Sequence, residues 1–293
     1  MRHPSPIRRS RGLSLIECVL ACLGASIMLA ALAQLTPLLV QTSQSREAAL
    51  LAEKSQSVAF LLGRDMDAAY PDSARVAQVG STVFLEIAPI HALGRYRAGS
   101  PAAEGTSPCP TDDPSLIDPD HPDDDPQAND RLSIGTADTC FTTIGAFDAD
   151  KVQAGDWVAL PGSGPLGFYA FGAASGGAKA RLSNVQMTPD GARIQIESSA
   201  FAAHSDGRRF AVVGGPRTWA CDPVAGTLSA FEGYPPSAAQ PTSFGVAPLA
   251  SIAGIASCSA FVEGRLARFG YTLATSKASI AGGASSVMGR GSW

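Results

Sequence analysis

The chain has 293 residues, of which 45% are hydrophobic and only 16% charged, with 30 Gly and 21 Pro. That length can bury one substantial core or two small ones, and low charge with many turn formers excludes a helical bundle and favours a loop-rich β or α+β body. The formal charge is −4, without a basic stripe, which argues against nucleic acid as a partner.

Four arginines, Arg2, Arg8, Arg9 and Arg11, precede an apolar run over 13–40. The run is too long for a secretory signal and lacks an Ala-x-Ala cleavage site with a polar start. It predicts a single-pass helix in the inner membrane, arginines on the cytoplasmic side and the head outside. One carboxylate, Glu17, interrupts it. An ionised carboxylate at membrane depth costs about 2.5 kcal/mol or more, so it needs a partner. A cut after Gly12 would supply one, because the new α-amino group of Leu13 is a cation and Glu17 becomes the fifth residue. Gly24, Ala25 and Ser26 let neighbouring helices approach, and Pro37 bends or loosens the helix. Beyond residue 41, Ala48, Leu51, Val58, Leu62 and Met66 form a stripe on an amphipathic helix over 41–70, closed by Tyr70-Pro71-Asp72.

Gly12-Leu13-Ser14-Leu15-Ile16-Glu17 resembles the prepilin peptidase site of type IV pilins and type II secretion pseudopilins, with Leu13 where Phe is usual. The resemblance implies that a leader, 1–12, is removed by prepilin peptidase and that the amine of Leu13 is methylated. It also implies that residues 13–40 pack in a filament core, with Glu17 pairing to the α-amine of a neighbouring subunit. Loss of the leader arginines leaves Lys+Arg 18 against Asp+Glu 26, a formal charge of −8.

Two further stretches are similar to O-type minor pilins of the MSHA (mannose-sensitive haemagglutinin) pilus biogenesis system. The first carries Arg64, Ala69, Pro71, Ser73, Leu85, Glu86, Pro89, Ile90, Arg95 and Tyr96; the second carries Arg209, Phe210, Val212, Val213, Gly215, Pro216 and Cys221. Arg217 and Trp219 depart from the second motif, where an apolar residue and Tyr are usual. The implied partners are prepilin peptidase, other pilin and minor pilin subunits and an inner-membrane assembly platform, with a pilus or pseudopilus as destination. No cofactor is implied, and the chain is a substrate of the peptidase rather than an enzyme.

The fold expected is α+β: a long N-terminal pilin helix, half transmembrane and half amphipathic, on a mostly antiparallel β-sheet head over 71–293. Within the head, 100–130 is an insert rich in Pro, Asp and Gly, too polar to order itself. Its clustered carboxylates, Asp118, Asp120 and Asp123 among them, are hard oxygen ligands of the kind calcium takes, but their spacing is not that of an EF-hand. A solvated insert is the competing reading. Strands are expected at 131–134, 156–160, 167–171, 193–197, 209–213, 227–231 and 266–273, with a hairpin turn at Pro189-Asp190-Gly191. The terminal "GGASSVMGRGSW" reads as frayed.

Cys18 and Cys22 lie four apart on the apolar helix and read as small hydrophobes. Cys109, Cys140, Cys221 and Cys258 fall in the head, where three pairings are open. Local order favours Cys109–Cys140 and Cys221–Cys258, and no zinc spacing competes. His91, His121 and His204 are scattered, with no nucleophile elbow or phosphate loop. Three other readings share the chain: a J-type pseudopilin of type II secretion, an adhesin-like binding module displayed on a filament, and a membrane-tethered periplasmic enzyme.

Overall fold

The computed structural model describes residues 15–71, 73–98, 131–135, 137–161, 168–169, 179–188, 191–276 and 278–287. Helix α1 (Leu15–Asp67) opens the chain. Strands follow as β1 (Arg75–Val79), β2 (Thr82–Ile87), β3 (Ile90–Arg95), β4 (Arg97–Ala98), β5 (Arg131–Leu132), β6 (Asp138–Thr142), β7 (Trp157–Ala159) and β8 (Lys179–Thr188). The second half holds β9 (Gly191–Ser199), β10 (Arg209–Val213), β11 (Arg217–Asp222), β12 (Thr227–Phe231), β13 (Ala250–Ala253), β14 (Ile255–Glu263), β15 (Leu266–Ala274) and β16 (Ser279–Val287).

These strands form three antiparallel sheets, in the orders β1-β2-β11-β12-β13, β3-β10-β7-β8-β9-β6 and β14-β15-β16, and one short parallel pair, β4-β5. The stripe of α1 is its packed face: Leu51, Val58, Leu62 and Met66 are buried, while Ala48 stays exposed. They meet Leu85, Ile87, Trp219 and Leu228 of the first sheet and Phe269, Tyr271 and Leu273 of the third. Each such side chain contributes about 1.5–3 kcal/mol by leaving water. A disulfide, Cys221–Cys258, joins β11 to β14 across this core, and its loop corresponds to about 3–4 kcal/mol in the chain-entropy view.

The six-stranded sheet encloses a second, aromatic core. Phe141 meets Phe210 edge-on at 5.1 Å and Phe147 stacks on Phe210 at 5.7 Å, geometries that add about 0.5–1.5 kcal/mol per pair beyond burial. Gly94 makes room for Phe210, since a Cβ there would lie 2.4 Å from the ring. The chain leaving α1 stitches the sheets together. Tyr70 N–H donates to Ala88 O and Ile90 N–H to Ala68 O, both at 2.7 Å, and Gly214 N–H donates to Pro89 O at 2.8 Å. The sequence blocks around Pro71, Pro89 and Pro216 therefore converge at one crossover.

Three expectations are corrected. The α+β class gives way to a mostly β fold, because sixteen strands carry most of the described head. Many are short or rich in Ala, Gly and Ser, with little hydrophobic alternation to announce them. No helix among the described residues is long and apolar enough to cross a membrane, which overturns the transmembrane half and the single-pass inner-membrane location. The C-terminal segment is not frayed as far as Val287: β16 pairs with β15 along its whole length, from Ser279 opposite Ala274 to Val287 opposite Leu266. The leader, 1–12, and the insert, 100–130, lie outside the described residues, as does most of the strand expected at 167–171.

Gly282 of β16 lies where α1 crosses the third sheet. A Cβ there would sit 2.4 Å from Ser55 Oγ and 2.7 Å from the Tyr271 ring and hydroxyl, and Tyr271 O–H donates to Ser55 O at 2.6 Å. Gly282→Ala should lower stability by about 1–3 kcal/mol through overpacking, measured as a shift of the urea midpoint. An unchanged midpoint would contradict this close helix–sheet contact.

Candidate functional site

Every described side chain from Leu15 to Ala30 on α1 is exposed. Leu15, Ile16, Met28 and Leu29, at 84%, 70%, 73% and 67% exposure, point at about 0°, 100°, 220° and 320° around the axis at 100° per residue. The helix is thus apolar on all sides, and such helices are normally buried by something larger. Glu17 lies in the first turn and is exposed, where a negative charge is favoured by the helix dipole at about 0.3–1 kcal/mol. Cys18 and Cys22 are free thiols and exposed.

Of the other sequence-predicted residues, Gly12, Leu13, Cys109, Asp118, Asp120 and Asp123 lie outside the described residues. Cys140 is disulfide-bonded, and Cys221 pairs with Cys258 as local order favoured. Among the described residues no group of His, Cys, Asp or Glu could hold a metal ion. His91 Nδ1 lies 2.8 Å from Asp156 Oδ2, which also accepts Gln153 N–H at 2.9 Å. The ring rests on Gly214, whose Cβ, if present, would lie 2.4 Å from it. Oriented this way, the imidazole braces β3 against the loop before β7.

Sequence reading missed three buried polar centres. At the end of α1, Asp65 is 5% exposed; Arg217 Nη1 lies 2.9 Å from its Oδ1 and Trp219 Nε1–H donates to Oδ2 at 3.2 Å. Arg64 adds a contact at 3.0 Å, and Arg217 also pairs with Glu232 at 2.7 Å. On the other face of the first sheet, the fully buried Glu86 takes Arg75 Nε and Nη2 at 3.0 and 2.7 Å. Burial pushes the Glu86 carboxyl above its ordinary range, opposed by the Arg75 charge. Arg75 also donates to Ser237 O and Ala238 O, both at 2.8 Å, so one guanidinium ties the irregular segment 232–249 to the sheet.

The third centre is Lys179, buried on β8 with its ammonium 4.5 Å from the Phe168 ring centre and 4.9 Å from that of Trp157. It donates to Phe168 O. Burial, then the Arg75 charge, brings its pKa down to about 8. Only one sequence signal could have found these centres: Arg217 and Trp219, the two departures from the second motif, are the residues that hold Asp65. Glu86 stands in the first motif, but neither there nor at Lys179 does the local sequence show burial, because the groups around them come from other strands.

Between about 8 and the ordinary 10.5, the folded chain has released the Lys179 proton while the unfolded chain keeps it. Stability therefore rises with pH through that window. Urea unfolding at pH 8 and 10 should show the rise in the unaltered chain and its loss in Lys179→Met; an equal rise in both would disprove the assignment. Compared as a whole, the chain matches no family model, no curated protein and no solved structure.

Proposed function

We propose that the chain is a minor subunit of a pilus-type fibre, a minor pilin or pseudopilin, in which α1 is the assembly element and the β head is displayed. The supporting observation is the bare helix: residues 15–30 are exposed on every side although they are almost wholly apolar. Among the described side chains of α1, the buried apolar ones run from Leu51 to Met66, against the head. A helix apolar all round needs a complete sheath, and like helices of neighbouring subunits provide one.

Glu17 then has a defined role. It is the acidic residue in the first turn of α1, and an ionised carboxylate enclosed among apolar helices is stabilised by a cation beside it. The amine created by a cut between Gly12 and Leu13, carried by an adjacent subunit, meets that demand. An opposite-charge pair enclosed this way fixes axial register more dependably than it adds stability. Prepilin peptidase and other pilin subunits are the partners this reading requires.

Mass spectrometry of the mature protein should find an N-terminus at methylated Leu13; an intact Met1 would overturn the reading. Glu17→Ala should still be cut but should be depleted from sheared filaments at least about tenfold, the scale of one lost charge-assisted contact. Undiminished incorporation would remove Glu17 from the assembly role.

A further inference from the structure

β12 and β13 pair antiparallel with Ala230 opposite Ala250, and Leu249 N–H donates to Ala230 O at 2.8 Å. The segment 232–249 thus leaves the first sheet and re-enters it at one place, and its base stays closed whatever the segment does. Glu232 is held at the exit by Arg217 at 2.7 Å. Gly233 follows with φ 82°, a left-handed conformation that glycine adopts at no steric cost. Four prolines, Pro235, Pro236, Pro241 and Pro248, have no N–H to give. Among the described residues, none accepts a hydrogen bond from a backbone N–H of 233–248.

The segment is fastened through side chains instead. Arg75 Nη1 and Nη2 donate to Ala238 O and Ser237 O, both at 2.8 Å. Gln240 Nε2 donates to Phe84 O at 3.2 Å, the Tyr234 hydroxyl meets Thr218 Oγ1, and the Phe244 ring stacks on Phe231 at 4.4 Å. Arg75 itself belongs to the sheet. Register sets it opposite Glu86, it pairs with that carboxylate at 2.7 Å, and its guanidinium lies 3.6 Å over the Tyr169 ring. Glu86 and Thr218 are fully buried, whereas Gly233, Pro235, 237–239, 242–243 and 245–249 of the segment are exposed. A segment with few bonds and much exposed backbone opens at low free energy, while paired core strands open only near the global limit.

We propose that 232–249 is a hinged cover over the far face of the first sheet, latched by Arg75, which opens as one unit while β2, β11 and β12 stay paired. Its hinges are Glu232–Gly233 at one end and Leu249 at the other. Opening breaks the two Arg75–carbonyl bonds, the Gln240 and Tyr234 contacts and the Phe244 stack, but no hydrogen bond of the sheet ladder. The Arg75–Glu86 pair stays on the sheet, and the hidden carboxylate comes to water. The fold thereby keeps a buried charge that can be presented or withdrawn without unfolding.

The full chain in a non-ionic detergent is treated with chymotrypsin at several urea concentrations below the unfolding transition, and each cut is mapped by mass spectrometry. Phe244 is pinned on Phe231 until the cover lifts. The bond after Phe244 should be cut with a shallow urea dependence, since opening exposes little surface. Gln240→Ala should keep the urea midpoint and speed that cut about threefold, the scale of one neutral hydrogen bond. Arg75→Gln should speed it about tenfold or more; where it also lowers the midpoint, Gln240→Ala decides, because it leaves the contacts within the sheet in place. Carbodiimide labelling of Glu86 should rise in step with the cut in Gln240→Ala. A cut after Phe244 that follows urea as steeply as global unfolding, an unchanged rate in Gln240→Ala, or Glu86 labelling that does not rise with the cut would each overturn the cover.

Discussion

Asp65 is buried on the last turn of α1, and its carboxylate is the joint between the helix and the first sheet. Arg217 and Trp219, from the same face of β11, reach it across the core. Removing one side of such a buried pair leaves an uncompensated charge and costs about 3–5 kcal/mol. The contact therefore does more than hold two elements together. It fixes the rotation of α1, so that Leu51, Val58, Leu62 and Met66 face the sheets and the last turn delivers Tyr70 to the crossover at Ala88. From that crossover β2 leads into the first sheet and β3 into the second, so the placement of both follows from it.

The first sheet is charged on both sides. Asp65 and Arg217 belong to the helix face, while Glu86 and Arg75 lie on the far face beneath the segment 232–249. The segment is held by Arg75 at its carbonyls, by Gln240 on Phe84 O at 3.2 Å, and by Phe244 stacked on Phe231 at 4.4 Å. Glu86 stays buried because the guanidinium that neutralises it is itself satisfied by backbone oxygens. These polar networks make the pairing of β2 with β11 specific, as only one register sets Glu86 opposite Thr218.

The same economy explains why the helix looks so different along its length. Its C-terminal half finishes a core built by two sheets and a disulfide, whereas its described side chains from Leu15 to Ala30 are all exposed.

Several features were decided by the sequence alone. The apolar stripe on α1 follows from helical periodicity, the strands at 209–213 and 227–231 from β-branched and aromatic runs between turns, and the Cys221–Cys258 bridge from local order. The carboxylate in an apolar run, Glu17, was equally visible, because a charge out of place needs no fold to be noticed. Tertiary structure alone decided the rest. β16 contains Gly282, Gly283 and three serines and has no intrinsic strand signal, yet β15 supplies it a complete set of backbone partners. Nothing in the local sequence shows that Glu86 and Lys179 are buried or that Arg95 lies opposite Arg209. Their chemistry arises from burial and from cross-strand register, which depend on residues up to more than a hundred positions away and which no local pattern encodes.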